Sequence, residues 1–314
     1  MKGTSGLSAL LSRRVFLSTA LAGVGFIGLP PSLFAGSAEV VRIQALAFDG
    51  DALLVAGQTL SRSDDGGVSW ISEPTPEAPD ILALATHPDR PGRIIAGLAN
   101  GGIIVSGDGG RTWEVRNEGL PREAVTAVAA AAAQPDIIYA AVRGDGLWRS
   151  EDAGSSWTFV MDRPWLMEAE RDPMALASVN LATGMGGIWI YAGTEVGLTR
   201  VPDCFCRWQG VQPGDAMAAL ASGAEAPPEA PLPAGEPIQA LVSAPSEPHT
   251  LYAALPSGVW VSHDAGVVWS RVTPGRAMAV AVHPTDAEHI LAAIDGGLMQ
   301  SRNGGTTWTA LAAK

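Results

Sequence analysis

The sequence has little lysine, cysteine and tyrosine, and each shortage narrows what the chain can do. Lysine occurs only at positions 2 and 314, so arginine carries nearly all of the positive charge. The 32 acidic residues outnumber the 20 basic ones, which gives a formal net charge of −12 and leaves no basic stripe. Because a nucleic acid needs such a stripe for its phosphates, we exclude nucleic acid as a partner.

Cysteine is restricted to Cys204 and Cys206, which are separated by one residue. In an oxidising compartment a C-x-C pair can close a small disulfide or bind a soft metal, and it can also remain as two thiols. No histidine stands nearby to complete a metal site, so the sequence favours the disulfide or the free thiols. Elsewhere there is no H-x-H, H-E-x-x-H or C-x-x-C-H segment, and we predict neither a metal nor another cofactor.

The first 38 residues are typical of an export signal. Residues 12–17, SRRVFL, resemble the twin-arginine signal, with Ser18 where the commonest version has lysine. An apolar stretch from Val15 to Leu29 follows, and small residues at 35–38 suit a signal peptidase; the sequence leaves open whether the signal is cleaved. We expect a periplasmic or secreted protein that is exported folded. Removal of the signal would leave a net charge of −15, which favours a positively charged partner surface.

Beyond the signal no segment has a sustained helical period, and one short pattern, S-x-D-x-G-x-x-W, recurs. We call it the turn motif. Asp and Gly close tight turns because an Asp side chain hydrogen-bonds the backbone two residues on and Gly reaches positive φ without steric cost. Its copies span residues 63–70, 106–113, 150–157, 262–269 and 301–308, and a decayed copy, VPDCFCRW, spans 201–208.

The six copies lie 39 to 61 residues apart, which is the size of a propeller blade with four short strands. In the last unit we predict strands at 278–282, 289–294, 298–301 and 308–311. Such small sheets bury both faces when they pack around an axis, so we predict an all-β, six-bladed β-propeller over residues 39–314. A seventh blade near 210–237 and a closing strand from 39–43 stay open. The predicted blades span 39–77, 78–121, 122–168, 174–212, 236–275 and 276–314, with inserted loops at 162–174 and 209–237.

The turn motif resembles the Asp-box, or bacterial neuraminidase repeat, of sialidases, xyloglucan-cleaving glycoside hydrolases, sortilin-type receptors and photosystem II stability and assembly factors. The layout is nearest to that of the single-propeller assembly factors. In these families the motif lies at the periphery, so the resemblance implies a structural role in which Asp holds the turn, Gly turns it and Trp anchors it in the blade. The residues concerned are Asp65, Asp108, Asp152, Asp203, Asp264 and Asn303.

A sialidase-like site would need three arginines, a tyrosine nucleophile with a Glu partner, and an acid, and the sequence does not favour one. Residues 42–46, RIQAL, begin like the family's Arg-Ile-Pro segment, but residues 238–241, IQAL, repeat the letters of 43–46, which makes this stretch an ordinary first strand. The three tyrosines occupy equivalent places in three units, which indicates packing. We predict no catalytic residue, although a pair of carboxylates among the 32 acids stays open.

Two segments depart from the repeat. Residues 162–174 put Trp165 and Met167 beside Glu168, Glu170 and Arg171, and an aromatic anchor ringed by charge is typical of a protein-binding hot spot. The alternative is a loop that folds its tryptophan back onto the blade. Residues 209–237 are rich in Ala, Pro, Gly and Glu, a composition that buries little, so they either touch a partner or only link two blades.

These observations favour a non-catalytic binding or assembly scaffold for a protein partner at the extracytoplasmic face of a membrane. The alternative is a carbohydrate-active enzyme or glycan-binding propeller whose site lies in the central funnel and uses strand-end acids and aromatics. A glycan is therefore the second candidate ligand. No pattern specifies an oligomeric state.

Overall fold

The computed structural model describes residues 42–73, 75, 80–183, 187–212 and 228–312. The predicted signal at 1–38 lies outside these ranges, and so do residues 213–227 of the second insertion. Every regular element in the described ranges is a β-strand, and the strands form six antiparallel sheets and one two-stranded hairpin. Among the described residues there is consequently no helix that could serve as a membrane span.

Each sheet is built from strands that are consecutive in the chain, and we number the six blades in chain order. Blade 1 contains β1 (Ala45–Asp49), β2 (Ala52–Ala56), β3 (Leu60–Ser63) and β4 (Ile71–Glu73), and blade 2 contains β5 (Ile81–Ala85), β6 (Ile94–Leu98), β7 (Ile103–Ser106) and β8 (Glu114–Val115). Blade 3 contains β9 (Val125–Ala131), β10 (Gln134–Val142), β11 (Gly146–Ser150) and β12 (Thr158–Met161), and the hairpin β13 (Trp165–Leu166) and β14 (Ala169–Glu170) follows it. Blade 4 contains β15 (Ala175–Val179), β16 (Trp189–Gly193) and β17 (Leu198–Pro202), and blade 5 contains β18 (Ala240–Ala244), β19 (Glu247–Leu255), β20 (Gly258–Ser262) and β21 (Ser270–Thr273). Blade 6 contains β22 (Ala277–His283), β23 (Asp286–Ile294), β24 (Gly297–Ser301) and β25 (Thr309–Leu311).

The sheets pack around a common axis. The first strand of each blade contacts the first strands of both neighbouring blades, and β22 meets β1. A separate hydrophobic core fills each of the six contacts between blades. The described residues therefore form a six-bladed β-propeller, which confirms the predicted fold, and the described part of 209–237 adds no further blade. The ring closes by packing of blade 6 on blade 1, with no strand ahead of β1 in the described ranges.

The second strand of each blade is the most deeply buried, because the neighbouring blades cover both of its faces. Strands β2, β6 and β16 are buried along their whole length. This burial explains why these strands consist of continuous apolar residues with no polar alternation. In blade 6 the four predicted strands are present, and the second begins earlier than predicted, at Asp286.

The turn motif is held by three hydrogen bonds. In blade 1 the Ser63 hydroxyl donates to Asp65 Oδ1 (2.8 Å) and accepts from the N–H of Gly67 (2.8 Å). Asp65 Oδ1 also accepts from the N–H of Ser69 (2.8 Å). The same set recurs in blades 2, 3, 5 and 6, where Asn303 contributes its amide oxygen in place of a carboxylate. Hydrogen bonds from Ser69, and then from Ser63, lower the pKa of Asp65 to about 2.

The glycine and the tryptophan of the motif contact the preceding blade. At Gly110, where φ is +98°, an added Cβ would lie 2.9 Å from the Leu60 side chain of blade 1, so a larger residue does not fit. Trp157 of blade 3 lies in the core shared with blade 2, and its indole N–H donates to the Arg116 carbonyl (2.9 Å). The other motif tryptophans likewise pack into the core shared with the preceding blade: Trp70, Trp113, Trp208, Trp269 and Trp308. The tryptophan thus joins two blades and does more than anchor its own, and the motif recurs because each inter-blade contact needs one.

The decayed motif of blade 4 makes the same inter-blade contact with different residues. Phe205 stands where the other motifs have Gly, and it keeps a left-handed φ of +53°. Its ring meets Tyr139 of blade 3 edge-on, with 5.9 Å between ring centroids. Cys204 and Cys206, which flank Phe205, are joined by a disulfide in the structure. The Phe205 ring therefore contacts the preceding blade at the position where the glycine of the other motifs brings the backbone close to that blade.

Blade 4 also departs from the predicted four strands, since its described residues form three. Where a fourth strand would pair with β17, Gln209 is the one described residue that does so, and it exchanges two backbone hydrogen bonds with Arg200 (2.9 and 2.8 Å). Asp203, the motif aspartate of this blade, lies against Gly187. The loss of the regular Ser and Gly thus coincides with the loss of a regular outer strand.

Removal of a motif serine should destabilise the propeller. Ser262 is 1% exposed, and its hydroxyl accepts from the N–H of Gly266 (2.9 Å) and donates to Asp264 (2.7 Å). In Ser262→Ala the buried Gly266 N–H loses its partner, so we expect the free energy of unfolding to fall by about 1–3 kcal/mol. Chemical unfolding of both proteins measures the change. Ser270→Ala, at an exposed position of β21, is the control, and an equal effect of the two variants would contradict a structural role for the motif.

Candidate functional site

A channel runs along the propeller axis between the first strands of the six blades. Its middle section has a volume of only about 60 Å³, and it widens at both ends. One mouth, of about 880 Å³, lies where the first strands begin, and this volume falls within the ~300–1,000 Å³ typical of ligand clefts. The opposite mouth, of about 170 Å³, is smaller and is lined by four prolines: Pro88, Pro245, Pro248 and Pro284. The wider mouth is the candidate functional site.

Arginine dominates the wider mouth, which we call the arginine mouth. Five arginines and three acids line it, a local excess of two positive charges in a chain with a net charge of −12. Glutamine and threonine side chains add uncharged hydrogen-bonding groups. The charged lining residues are Arg42, Arg143, Arg163, Arg171, Arg276, Glu170, Asp172 and Glu195, and the uncharged polar ones are Gln44, Thr126 and Gln239.

The insertion at 162–174 forms part of this mouth, and the structure corrects its prediction as a loop. Residues 165–166 and 169–170 pair as the antiparallel strands β13 and β14, joined by a two-residue turn at Met167 and Glu168. Both turn residues have positive φ, +51° and +62°. This is the backbone of a type I′ turn, which normally uses Gly or Asn because other residues are strained at positive φ. The hairpin thus holds a conformation that its turn residues do not favour on their own.

Ion pairs and backbone contacts fasten the hairpin to the ring. Arg163 pairs with Glu170 and with Asp172 (3.4 Å), and Arg171 pairs with Glu195 of blade 4. Asp172 also accepts from the backbone N–H of Gly144 in blade 3 (2.8 Å). These contacts tie the hairpin to the blades on both sides of it, so it projects from the mouth as a fixed element.

The hairpin exposes two of its three large apolar side chains, and the third, Leu166, is half-buried. Trp165 is 67% exposed and Met167 is 73% exposed. Trp165 therefore does not fold back onto the blade, which excludes the alternative interpretation of this insertion. Glu168 is also exposed, at the tip, whereas Glu170 and Arg171 line the mouth. The candidate partner-binding residues of the sequence thus divide between the tip of one hairpin and the cavity at its base.

The other chemically notable residues lie away from the mouth. The hydroxyls of Tyr191 and Tyr252 donate to carbonyls of the next blade, those of Ala265 and Ala287 (both 2.9 Å). Burial raises the pKa of Tyr139 and of Tyr252 to about 12, so neither ionises readily. In the described ranges no three His, Cys, Asp or Glu side chains group together as a metal site would require.

Four arginines of the mouth are absent from the predicted site residues: Arg163, which lies within the insertion at 162–174, and Arg42, Arg143 and Arg276. Arg42 was assigned to an ordinary first strand, and it does precede β1, but that position also brings it to the channel mouth. Arg276 precedes β22 in the same way, and Arg143 follows β10. The aligned repeats could have predicted the place of Arg42 and Arg276, because the residues that precede the first strand of each blade converge on one end of the axis.

Comparison with known proteins identifies the fold of the chain but assigns it to no family. No family model matches the chain, and no curated protein matches it by sequence. Among solved structures, it is similar to the GH74 xyloglucanase of Xanthomonas campestris (20% identity, TM-score 0.53, 84% of this chain and 45% of that one). It is also similar to the GH74 enzyme of Niastella koreensis (17% identity, TM-score 0.56, 85% of this chain and 45% of that one). The chain thus spans less than half the length of these two enzymes.

A third similar structure is YCF48 bound to a D1 peptide, with 15% identity, a TM-score of 0.47 and coverage of 86% of this chain and 82% of that one. At their low identities the two GH74 enzymes show a shared propeller architecture alone, and the chemistry of the site has to be argued from the residues of this chain.

Proposed function

We propose that the protein is a non-catalytic binding or assembly scaffold for a protein partner at the extracytoplasmic face of a membrane. The observation that carries this proposal is the hairpin β13–β14, which presents Trp165 and Met167 to solvent beside a large cavity. Trp165 suits a binding hot spot, because an indole has only two rotatable bonds and the support is fixed, so little conformational entropy is lost when a partner covers it. The flexible thioether of Met167 can adapt its shape to the partner. The signal-like residues 1–38 support the extracytoplasmic location.

The charged groups of the mouth favour binding over catalysis. Each of its three acids, Glu170, Asp172 and Glu195, forms an ion pair with an arginine. The carboxylate oxygens of all three acids are thus held by arginines of the protein itself. A general acid has to direct its carboxyl group at the leaving group of a substrate, and none of the three is placed to do so while it is engaged in its ion pair.

A cross-linking experiment tests the proposed docking surface. A photo-reactive residue placed at position 167 of the tagged, full-length protein should link to one protein partner in the native envelope. Trp165→Ala should lower the yield of this product about tenfold or more, because central aromatic anchors contribute most of the energy of an interface. The readout is mass spectrometry of the linked product.

The control uses an apolar residue with similar exposure on another blade. Ile71 of β4 is 59% exposed, so Ile71→Ala removes an exposed apolar group far from the hairpin in sequence. We expect Ile71→Ala to leave the product unchanged. If Trp165→Ala reduces the product no more than Ile71→Ala does, the hairpin is not the docking surface.

A glycan ligand is the second candidate, and the size of the arginine mouth together with its amide and hydroxyl groups favours it. Turnover of fluorogenic glycosides would identify a hydrolase. Binding of a neutral oligosaccharide without turnover would identify a lectin-like propeller. Either result, combined with the absence of a protein product from position 167, would replace the scaffold proposal.

A further inference from the structure

The arginine mouth contains positive charges that the protein itself does not neutralise. Arg163 and Arg171 pair with acids, but Arg42, Arg143 and Arg276 form no ion pair with any described residue. These three are exposed. Arg42 and Arg276 come from the neighbouring blades 1 and 6 and Arg143 comes from blade 3, so they approach the cavity from two sides of the axis. An acidic chain thus directs unpaired guanidinium groups into one concave site.

Such an arrangement is electrostatically unfavourable when the site is empty. Like charges at the rim of a cavity repel one another, and the low-dielectric walls of a cleft strengthen their field. A carboxylate removes this repulsion, and a guanidinium can bind it through two parallel hydrogen bonds. The site therefore suits a ligand with several carboxylates, one for each free arginine.

We propose that the arginine mouth binds an acidic peptide segment of the protein partner, rich in Asp and Glu; this inference rests on the proposed function and specifies the partner's chemistry. Continuity with the hairpin favours a peptide, because the insertion that carries Trp165 also lines the mouth through Arg171. An apolar side chain of the partner on Trp165 would thereby place the neighbouring acidic residues over the cavity. Gln44 and Gln239, which also line the mouth, offer amide groups that can pair with a peptide backbone.

The arginine mouth has a net charge opposite in sign to that of the whole chain. The net charge of −12 favours a basic partner surface, whereas the mouth carries a local excess of two positive charges. A partner with both features, an acidic segment within an otherwise basic surface, satisfies both fields. The net charge of the chain therefore governs the long-range attraction of a partner, and the positive charge of the arginine mouth governs the direct contact with it.

The test uses a fluorescently labelled oligoglutamate peptide and the full chain. In the triple variant Arg42→Gln, Arg143→Gln and Arg276→Gln, we expect the dissociation constant to rise about tenfold, since each exposed pair contributes modestly. Fluorescence anisotropy at low salt measures it. Added salt should weaken binding to the wild-type protein more steeply than binding to the variant.

A second triple variant controls for the change in total charge. Arg122, Arg207 and Arg302 are exposed, lie outside the mouth and form no ion pair with described residues. Their combined substitution by Gln changes the net charge equally and should leave the dissociation constant within about twofold. Equal weakening by both triple variants would overturn the site, because the attraction would then be non-specific.

Two further outcomes separate this inference from the proposed function. If oligogalacturonate binds in an Arg42-, Arg143- and Arg276-dependent way and oligoglutamate does not, the mouth takes an acidic glycan, and the peptide proposal is wrong. If the product cross-linked from position 167 persists in the mouth variant at wild-type yield, the scaffold function stands and the acidic-segment inference fails. Loss of the product in both the Trp165→Ala and the mouth variant supports both proposals.

Discussion

Trp157→Ala is expected to lower the free energy of unfolding by about 3–5 kcal/mol, which is the range for removal of a large buried aromatic side chain. Trp157 is 5% exposed and lies in the core between blades 2 and 3. Its indole N–H donates to the Arg116 carbonyl, and its backbone N–H donates to that of Glu118 (2.8 Å). The variant therefore leaves a cavity and an unpaired carbonyl at a contact that both blades share.

Thermal unfolding measures the effect, and the midpoint should fall by roughly 10 °C for a domain of this size. Trp165→Ala provides the matched control, because it removes the same side chain from a position that is 67% exposed. Its free energy of unfolding should change by no more than about 0.5 kcal/mol. If the two variants lose equal stability, the motif tryptophan does not join the blades, and the hairpin tryptophan is a packing residue.

Trp157 and Trp165 also show how much of the structure can be predicted from the sequence. The fold could be predicted because each blade repeats the same local signals: a buried apolar second strand, a turn with Asp and Gly, and a tryptophan. Because equivalent units pack against one another in the same way, the pattern found in one unit predicts the surroundings of the corresponding residues in the other units. The role of Trp157 between blades could not be predicted, since the motif pattern does not say which neighbour the indole meets.

The candidate site was predictable only in part, for a physical reason. Trp165 is recognisable in the sequence because no other unit has a tryptophan at that place. The hairpin that presents it is held by the Arg163–Glu170 pair and by the Arg171–Glu195 pair with blade 4, and the second of these joins residues that are far apart in the sequence. Arg42 and Arg276 belong to different ends of the chain, and only closure of the ring brings them to one mouth. Long-range convergence of this kind leaves no short-range pattern in the sequence.

The junction that closes the ring contains a pair of stacked histidines. His283 and His289 of blade 6 have ring centroids 5.1 Å apart with nearly parallel planes, and Phe48 of blade 1 meets the His289 ring edge-on at 4.9 Å. His289 is 5% exposed, and its Nε2 lies 2.7 Å from the Gln300 side-chain nitrogen. Because that amide nitrogen donates, His289 Nε2 accepts, and the neutral ring fits this site.

Acidification should consequently weaken the ring closure. Burial, and next the positive charge of Arg302, lower the pKa of His289 from 6.5 to about 4. Between these values the unfolded chain binds a proton that the folded protein does not. The resulting stability is fully present above pH 6.5, falls as the pH drops, and is lost by about pH 4. The shift corresponds to about 3 kcal/mol, measurable as the difference between the wild-type protein and a His289 variant in the unfolding free energy lost from pH 7 to pH 4. The comparison with a variant is needed because burial also lowers the pKa of His87, which acts over the same pH range.

His289→Gln isolates this contribution, because glutamine keeps a polar side chain beside Gln300 and does not titrate in this range. We expect the variant to be less stable at pH 7 and to lose much less stability than the wild-type protein between pH 6.5 and pH 4. His249→Gln, at an exposed position of β19, should leave the wild-type slope intact. The turn-motif aspartates do not interfere, since their lowered pKa values place their loss of stability below pH 4. An unchanged slope in His289→Gln would show that another group governs the acid sensitivity of the junction between blades 6 and 1.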